Sequence, residues 1–201
     1  MKEFIGILAV ILTFVGYIPY IRDTIKGKTK PHIYSWFTWA FVTFIIFALQ
    51  ILGKGGAGAY TTLATAILCL TIFILGLRNG HKDITKFDTV TFVISLIATG
   101  VWVFAKQPVI STILIVTINT LANLPTIRKS WKDPHSETLF TWEMGAVRNL
   151  LGIIALQNYS ILTWLYPITN LLINIIESAI LIIRRKQLTN EGITNKTWPK
   201  Q

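Results

Sequence analysis

Residues 18–36 read IPYIRDTIKGKTKPHIYSW, and residues 124–142 read LPTIRKSWKDPHSETLFTW. A shift of 106 positions lays one stretch on the other. It pairs Pro19 with Pro125, Ile21 with Ile127, Arg22 with Arg128, Lys26 with Lys132, Ser35 with Thr141 and Trp36 with Trp142. Each copy reads as a helix end carrying a proline, then a basic loop, then a new helix opening on a hydroxyl residue and Trp. A repeat that covers half a chain sets its architecture before any single motif does.

Working outward, only 14% of the residues are charged, against about 25% in a soluble domain, and mean hydropathy is +0.56. Seven apolar segments stand at roughly 4–21, 33–53, 57–77, 89–105, 108–127, 138–157 and 160–183. Each is long enough to cross a hydrocarbon core of about 30 Å as a helix. None alternates like a strand, and in lipid the helix satisfies its own backbone. The opening MKEFIGILAV lacks a small-residue cleavage site and reads as a retained first span. The single cysteine, Cys69, lies in an apolar run, so neither an intramolecular disulfide nor a cysteine metal cluster is expected.

The net charge of +10 is distributed in loops. Arg22, Lys26, Lys28 and Lys30 follow the first span, Arg78, Lys82 and Lys86 the third, and Arg128, Lys129 and Lys132 the fifth. The tail adds Arg184, Arg185, Lys186, Lys196 and Lys200, whereas the other side has Lys2, Lys54 and Lys106. The positive-inside rule puts the rich side in the cytoplasm, with the amino terminus outside and the carboxyl terminus inside. The basic residues therefore fix orientation against an anionic bilayer surface, and nucleic acid is not the expected partner.

The expected fold is an all-α membrane protein of seven transmembrane helices. Residues 1–88 form repeat one, 89–107 a linker helix, 108–186 repeat two and 187–201 a polar cytoplasmic tail. A fourth span between two three-span units gives both units the same orientation. Parallel repeats of this kind are a transporter plan, with the solute site near the midplane between them.

A 3+1+3 arrangement with Pro19 and Pro125 near the ends of the first helix of each repeat resembles the SWEET and PQ-loop transporter superfamily. Where members of that superfamily often carry Pro-Gln, this chain has Pro19-Tyr20 and Pro125-Thr126. The resemblance covers the chain to about Arg185. It implies passage of a sugar, amino acid or vitamin, and a pocket that combines tryptophans with asparagines.

Polar groups inside a span face the bundle interior by default. Asn170, Asn174 and Glu177 are spaced i, i+4, i+7 and share a face that Thr163 extends. Pro167 frees the carbonyl of Thr163. Asn119 and Asn123 share a face in span five, and Trp142 and Asn149 one in span six. Trp36 is the repeat-one counterpart of Trp142. Arg148, mid-span, needs a carboxylate such as Glu177 or an anionic solute group. The candidate solute-binding set is thus Asn170, Asn174, Asn149, Trp142, Trp36, Asn119, Asn123 and Arg148. Pro19, Pro125 and Tyr17 are the candidate gate, and Glu177 and Glu143 the candidates for proton or charge coupling. Repeat two carries most of this polarity. His32 and His135 read as solvated loop histidines.

The leading expectation is a non-enzymatic transporter of a small polar solute, a sugar first, working by alternating access. A vitamin, nucleoside or amino-acid transporter with proton coupling, or a receptor that binds without transport, are the alternatives. No cofactor or metal is expected. Two repeats in one chain suffice for a pathway, so a monomer is plausible and a homo-oligomer possible.

Overall fold

The computed structural model of the chain describes residues 1–79, 86, 89, 90, 93 and 107–190. The expected linker helix at 89–107 and the tail from 191 onward lie essentially outside these residues. Among the described residues all regular structure is helical. The helices are α1 (Lys2–Ile25), α2 (Ile33–Leu52), α3 (Ala59–Asn79), α4 (Pro108–Leu121), α5 (Leu124–Lys132), α6 (Leu139–Ala155) and α7 (Ile161–Asn190).

Five stretches among them are long and apolar enough to cross a membrane: Lys2–Ile25, Ile33–Leu52, Gly56–Arg78, Pro108–Lys132 and Ile161–Thr189. The helix α6 has 17 residues, a rise of about 26 Å at 1.5 Å per residue. Side chains such as Ile11, Phe14, Ile18, Leu172, Ile175 and Ile176 point outward and are at least 44% exposed. So much outward apolar surface is compatible with a lipid environment rather than water.

Three element boundaries differ from the sequence expectation. Pro19 lies inside a continuous α1, which runs six residues further to Ile25 rather than ending near the proline. The expected span at 108–127 is broken instead, with α4 ending at Leu121 and α5 restarting at Leu124, where Pro125 stands in the first turn. Proline has no N–H for the carbonyl four residues back, so the chain makes a new helix start there. The last helix also runs beyond 186, to Asn190.

Packing follows a regular plan. The helix α3 packs against both α1 and α2, and α7 packs against α4, α5 and α6. Across the middle, α1 lies on α6 and α2 lies on α4. The approach of α1 to α6 is close. A Cβ on Gly16 would come 2.7 Å from that of Met144, so the small residue lets the two backbones meet. Helix starts keep the 106-residue offset: Lys2 and Pro108 open α1 and α4, and Ile33 and Leu139 open α2 and α6.

The interior has an aromatic part and an aliphatic part. Tyr17, Tyr20, Trp36, Trp39 and Trp142 cluster with Ile72 and Leu181. Val42, Ile46, Ile115, Ile118 and Tyr166 form the second cluster. Between and around them the chain buries many hydroxyls and amides. Thr13, Ser111, Thr112 and Thr65 return their hydroxyls to carbonyls four residues back, as polar side chains in apolar surroundings must.

Candidate functional site

A cavity lies between residues of the first half and residues of the second. It holds about 420 Å³ of empty space, the open space at its mouth included.

Helix periodicity explains which side chains reach it. From α2 come Trp36, Trp39 and Thr43, at i, i+3 and i+7, and from α3 come Thr65 and Cys69, at i and i+4. From α7 come Tyr166, Asn170 and Asn174, each four apart. Residues at these spacings stack on one face. Tyr17 of α1, Asn119 of α4, Asn123 at the α4–α5 break, and Thr141, Trp142 and Arg148 of α6 complete the lining.

Seven of the eight candidate solute-binding residues therefore meet in one place. Tyr17, assigned to the gate, lines the cavity as well. The exception is Asn149, which is buried and donates to the carbonyl of Gly145 over 2.8 Å. The inward stripe of α6 runs through Thr141, Gly145 and Arg148, and Asn149 sits about 100° round the helix from Arg148. Trp39, Thr43, Thr65, Cys69, Thr141 and Tyr166 were not singled out by sequence. The available signal was Trp39, three residues after Trp36, but an aromatic inside an apolar run reads equally as core.

Arg148 is 5% exposed. Its guanidinium donates to the Thr65 hydroxyl through Nη1 and to the Tyr17 hydroxyl through Nη2 at 3.4 Å, and it lies 5.3 Å from the Tyr17 ring centroid. No carboxylate among the described residues forms an ion pair with it. The expected pairing with Glu177 is not made. Glu177 is fully buried, but its Oε1 accepts from the Ser130 hydroxyl at 2.9 Å, on the α5 side of α7. Glu143 is exposed and lines no part of the cavity.

The polar side chains on α7 are anchored locally. Asn170 donates to the carbonyl of Tyr166 at 3.1 Å, and Asn174 to that of Asn170 at 2.6 Å. Asn123 treats Asn119 in the same way at 2.7 Å. Each amide is thereby held in one orientation at the cavity wall.

A row of aromatic rings runs from the cavity wall to Tyr20. Ring centroids step from Tyr20 to Trp36 (4.9 Å), Trp36 to Trp39 (5.0 Å) and Trp39 to Trp142 (6.0 Å). Beyond it is a buried charged clasp. Lys129 forms an ion pair with Glu137 and donates to the carbonyl of Lys30 at 2.6 Å. Glu137 also accepts from the Tyr20 hydroxyl and from the Trp142 indole N–H, each at 3.2 Å. Arg185 donates to the backbone carbonyls of Glu137 and Pro134 at 2.6 and 2.9 Å. The loops themselves are joined, Lys30 N–H to Ser136 carbonyl at 3.1 Å and Thr29 to Thr138 through their hydroxyls at 2.7 Å.

Neither Glu137 nor the burial of Lys129 was foreseen, since both lie in stretches that read as solvated basic loops. His32 differs in the same sense. It is fully buried, with Nδ1 3.3 Å from the Ser35 hydroxyl, whereas His135 is exposed.

The opposite end is also tied across the two halves. The N–H of Gln157 donates to the Gly55 carbonyl at 3.1 Å, and the Asn158 amide donates to that of Gly53 at 3.0 Å. Lys2 donates to the carbonyl of Leu156 at 2.6 Å and lies over the Tyr159 ring. A polar cavity thus sits between two ends, each held by bonds that join the first half of the chain to the second. The chain matches no protein-family model, no curated protein and no solved structure.

Proposed function

We propose that the chain is an integral membrane transporter of a small polar solute, working by alternating access between two three-helix units. The observation that carries this reading is the cavity itself, lined by residues of both halves, with a separate set of cross-half bonds toward each end of the bundle. Breaking one set while keeping the other opens the cavity to one side only, which is what alternating access requires.

The packing plan supports the repeat. At a shift of 106, α1 maps to α4 and α5, α2 to α6, and α3 to α7. Under that exchange the contact of α1 with α6 becomes the contact of α4 with α2, and both occur. The placing of α3 between α1 and α2 becomes that of α7 between α4 and α6, and both occur again. Two like units facing each other about an axis through the cavity have this pattern. With the linker helix counted, seven spans give the SWEET and PQ-loop plan, with the basic clasp at the cytoplasmic end and the amino terminus outside.

Tryptophan faces and asparagine amides are suitable for a sugar, and equally for a nucleoside, vitamin or amino acid. The test is flux into proteoliposomes of labelled members of these classes. Uptake that saturates with concentration is expected. A solute that binds tightly yet never crosses would replace the transporter with a membrane receptor.

A further inference from the structure

We propose that the solute carried in this cavity is an oxyanion, held by Arg148 through a carboxylate or phosphate group. The inference rests on the cavity being a solute site, as above, and adds the chemical class of its ligand.

Arg148 is a permanently charged group buried in mid-helix. A buried charge is costly unless it is paired. Its partners here, the Thr65 and Tyr17 hydroxyls and the Tyr17 ring, are neutral. The carboxylates of the neighbouring helices and loop contact other groups, Glu137 pairing with Lys129 and one oxygen of Glu177 accepting from Ser130, while Glu143 is exposed. The cavity lining contains one cation and no Asp or Glu. Among the described residues, no side chain therefore supplies the countercharge.

The unsatisfied groups point the same way. Among the lining residues, the Nε of Arg148, the indole N–H groups of Trp36 and Trp39 and the amide nitrogen of Asn119 are fully buried without a hydrogen-bond partner. All four are donors. No lining residue holds a fully buried acceptor oxygen without a partner. A wall with spare donors and a lone positive charge fits a ligand rich in acceptor oxygens and negatively charged. The guanidinium edge carrying Nε matches the planar fork of a carboxylate, and a phosphate offers the same oxygens at a different geometry. The Trp39 and Asn119 donors suit a further hydroxyl or oxo oxygen, so a hydroxy- or oxo-acid is the favoured carboxylate.

The experiment uses charge-matched solute pairs on the purified full chain in detergent, with affinities read by titration calorimetry and thermal shift. Glucuronate is compared with glucose and glycerate with glycerol, and glycerol 3-phosphate serves as the phosphate arm. The expected result is that an anionic member binds at least about tenfold tighter than its neutral partner, and that Arg148→Gln removes the preference while Arg148→Lys keeps part of it. Which arm shows the preference separates carboxylate from phosphate. Should Arg148→Gln fail to fold, the comparison of pairs on the unaltered chain stands alone. Equal binding of neutral and anionic members, or a preference that survives Arg148→Gln, overturns the oxyanion assignment and leaves the solute cavity standing. Binding of none of them overturns both.

Discussion

The side-chain amide of Gln50 donates to the backbone carbonyl of Thr163 over 3.0 Å, joining α2 to α7. That carbonyl is free because Pro167 stands four residues further along and has no N–H to offer it. A helix broken by proline in an apolar interior is tolerated when a neighbour satisfies the released group. Gln50, fully buried, is that neighbour.

Replacing Gln50 by Leu leaves the Thr163 carbonyl buried without a donor. The expected cost is about 1–3 kcal/mol in unfolding free energy. In a Pro167→Ala background residue 167 regains an N–H for that carbonyl, so the same replacement should cost less. A double-mutant cycle from denaturant unfolding in detergent measures the coupling. Equal costs in both backgrounds would separate the two residues.

Lys129 and Glu137 hold each other in a site from which water is excluded, both side chains being at most 2% exposed. Glu137→Gln strands the ammonium and should cost about 3–5 kcal/mol. Adding Lys129→Met removes the stranded charge and should recover much of it. Thermal unfolding of the single and double variants tests this. A single variant as stable as the parent would show that the pair contributes nothing.

Gly145 faces Asn174. A Cβ at position 145 would fall 2.6 Å from the Asn174 amide carbon, in the cavity wall. Gly145→Ala must push α6 and α7 apart or turn the amide away, an overpacking cost of about 1–3 kcal/mol. Solute affinity should fall with it. Gly76→Ala is the matched control, because its Cβ meets Pro31 at an ordinary 3.4 Å and alanine favours the helix. A thermal-shift comparison of the two variants decides, and equal melting points would contradict the packing described.

Much of this was legible in the sequence, and the reasons differ by residue. The helices follow from apolar length alone. The i, i+4 spacing of Asn170 and Asn174 puts both on one wall of α7 whatever lies opposite. The freed carbonyl of Thr163 follows from Pro167, but its donor Gln50 lies 113 residues away and no local pattern points to it. The need of Arg148 for a partner was legible, whereas its hydrogen bonds to the neutral hydroxyls of Tyr17 and Thr65 form only because α1 and α3 fold against α6. Glu137 reads as a loop acid until Tyr20, Trp142, Lys129 and Arg185 converge on it. The helix break at Ala122–Asn123 was misplaced because hydropathy runs on through the proline.

Whether the clasped end must open for solute to cross is the central question. Thr29 and Thr138 bring their hydroxyls to 2.7 Å across the two halves, so a Thr29→Cys/Thr138→Cys pair is close enough to bridge. The measurement is flux of a bound solute into proteoliposomes carrying that pair, oxidised and then reduced, with each single variant alongside. Alternating access predicts that the oxidised pair is silent, that reduction restores uptake, and that the single variants transport in both conditions. Flux through the oxidised, fully bridged protein at the reduced rate would contradict the account.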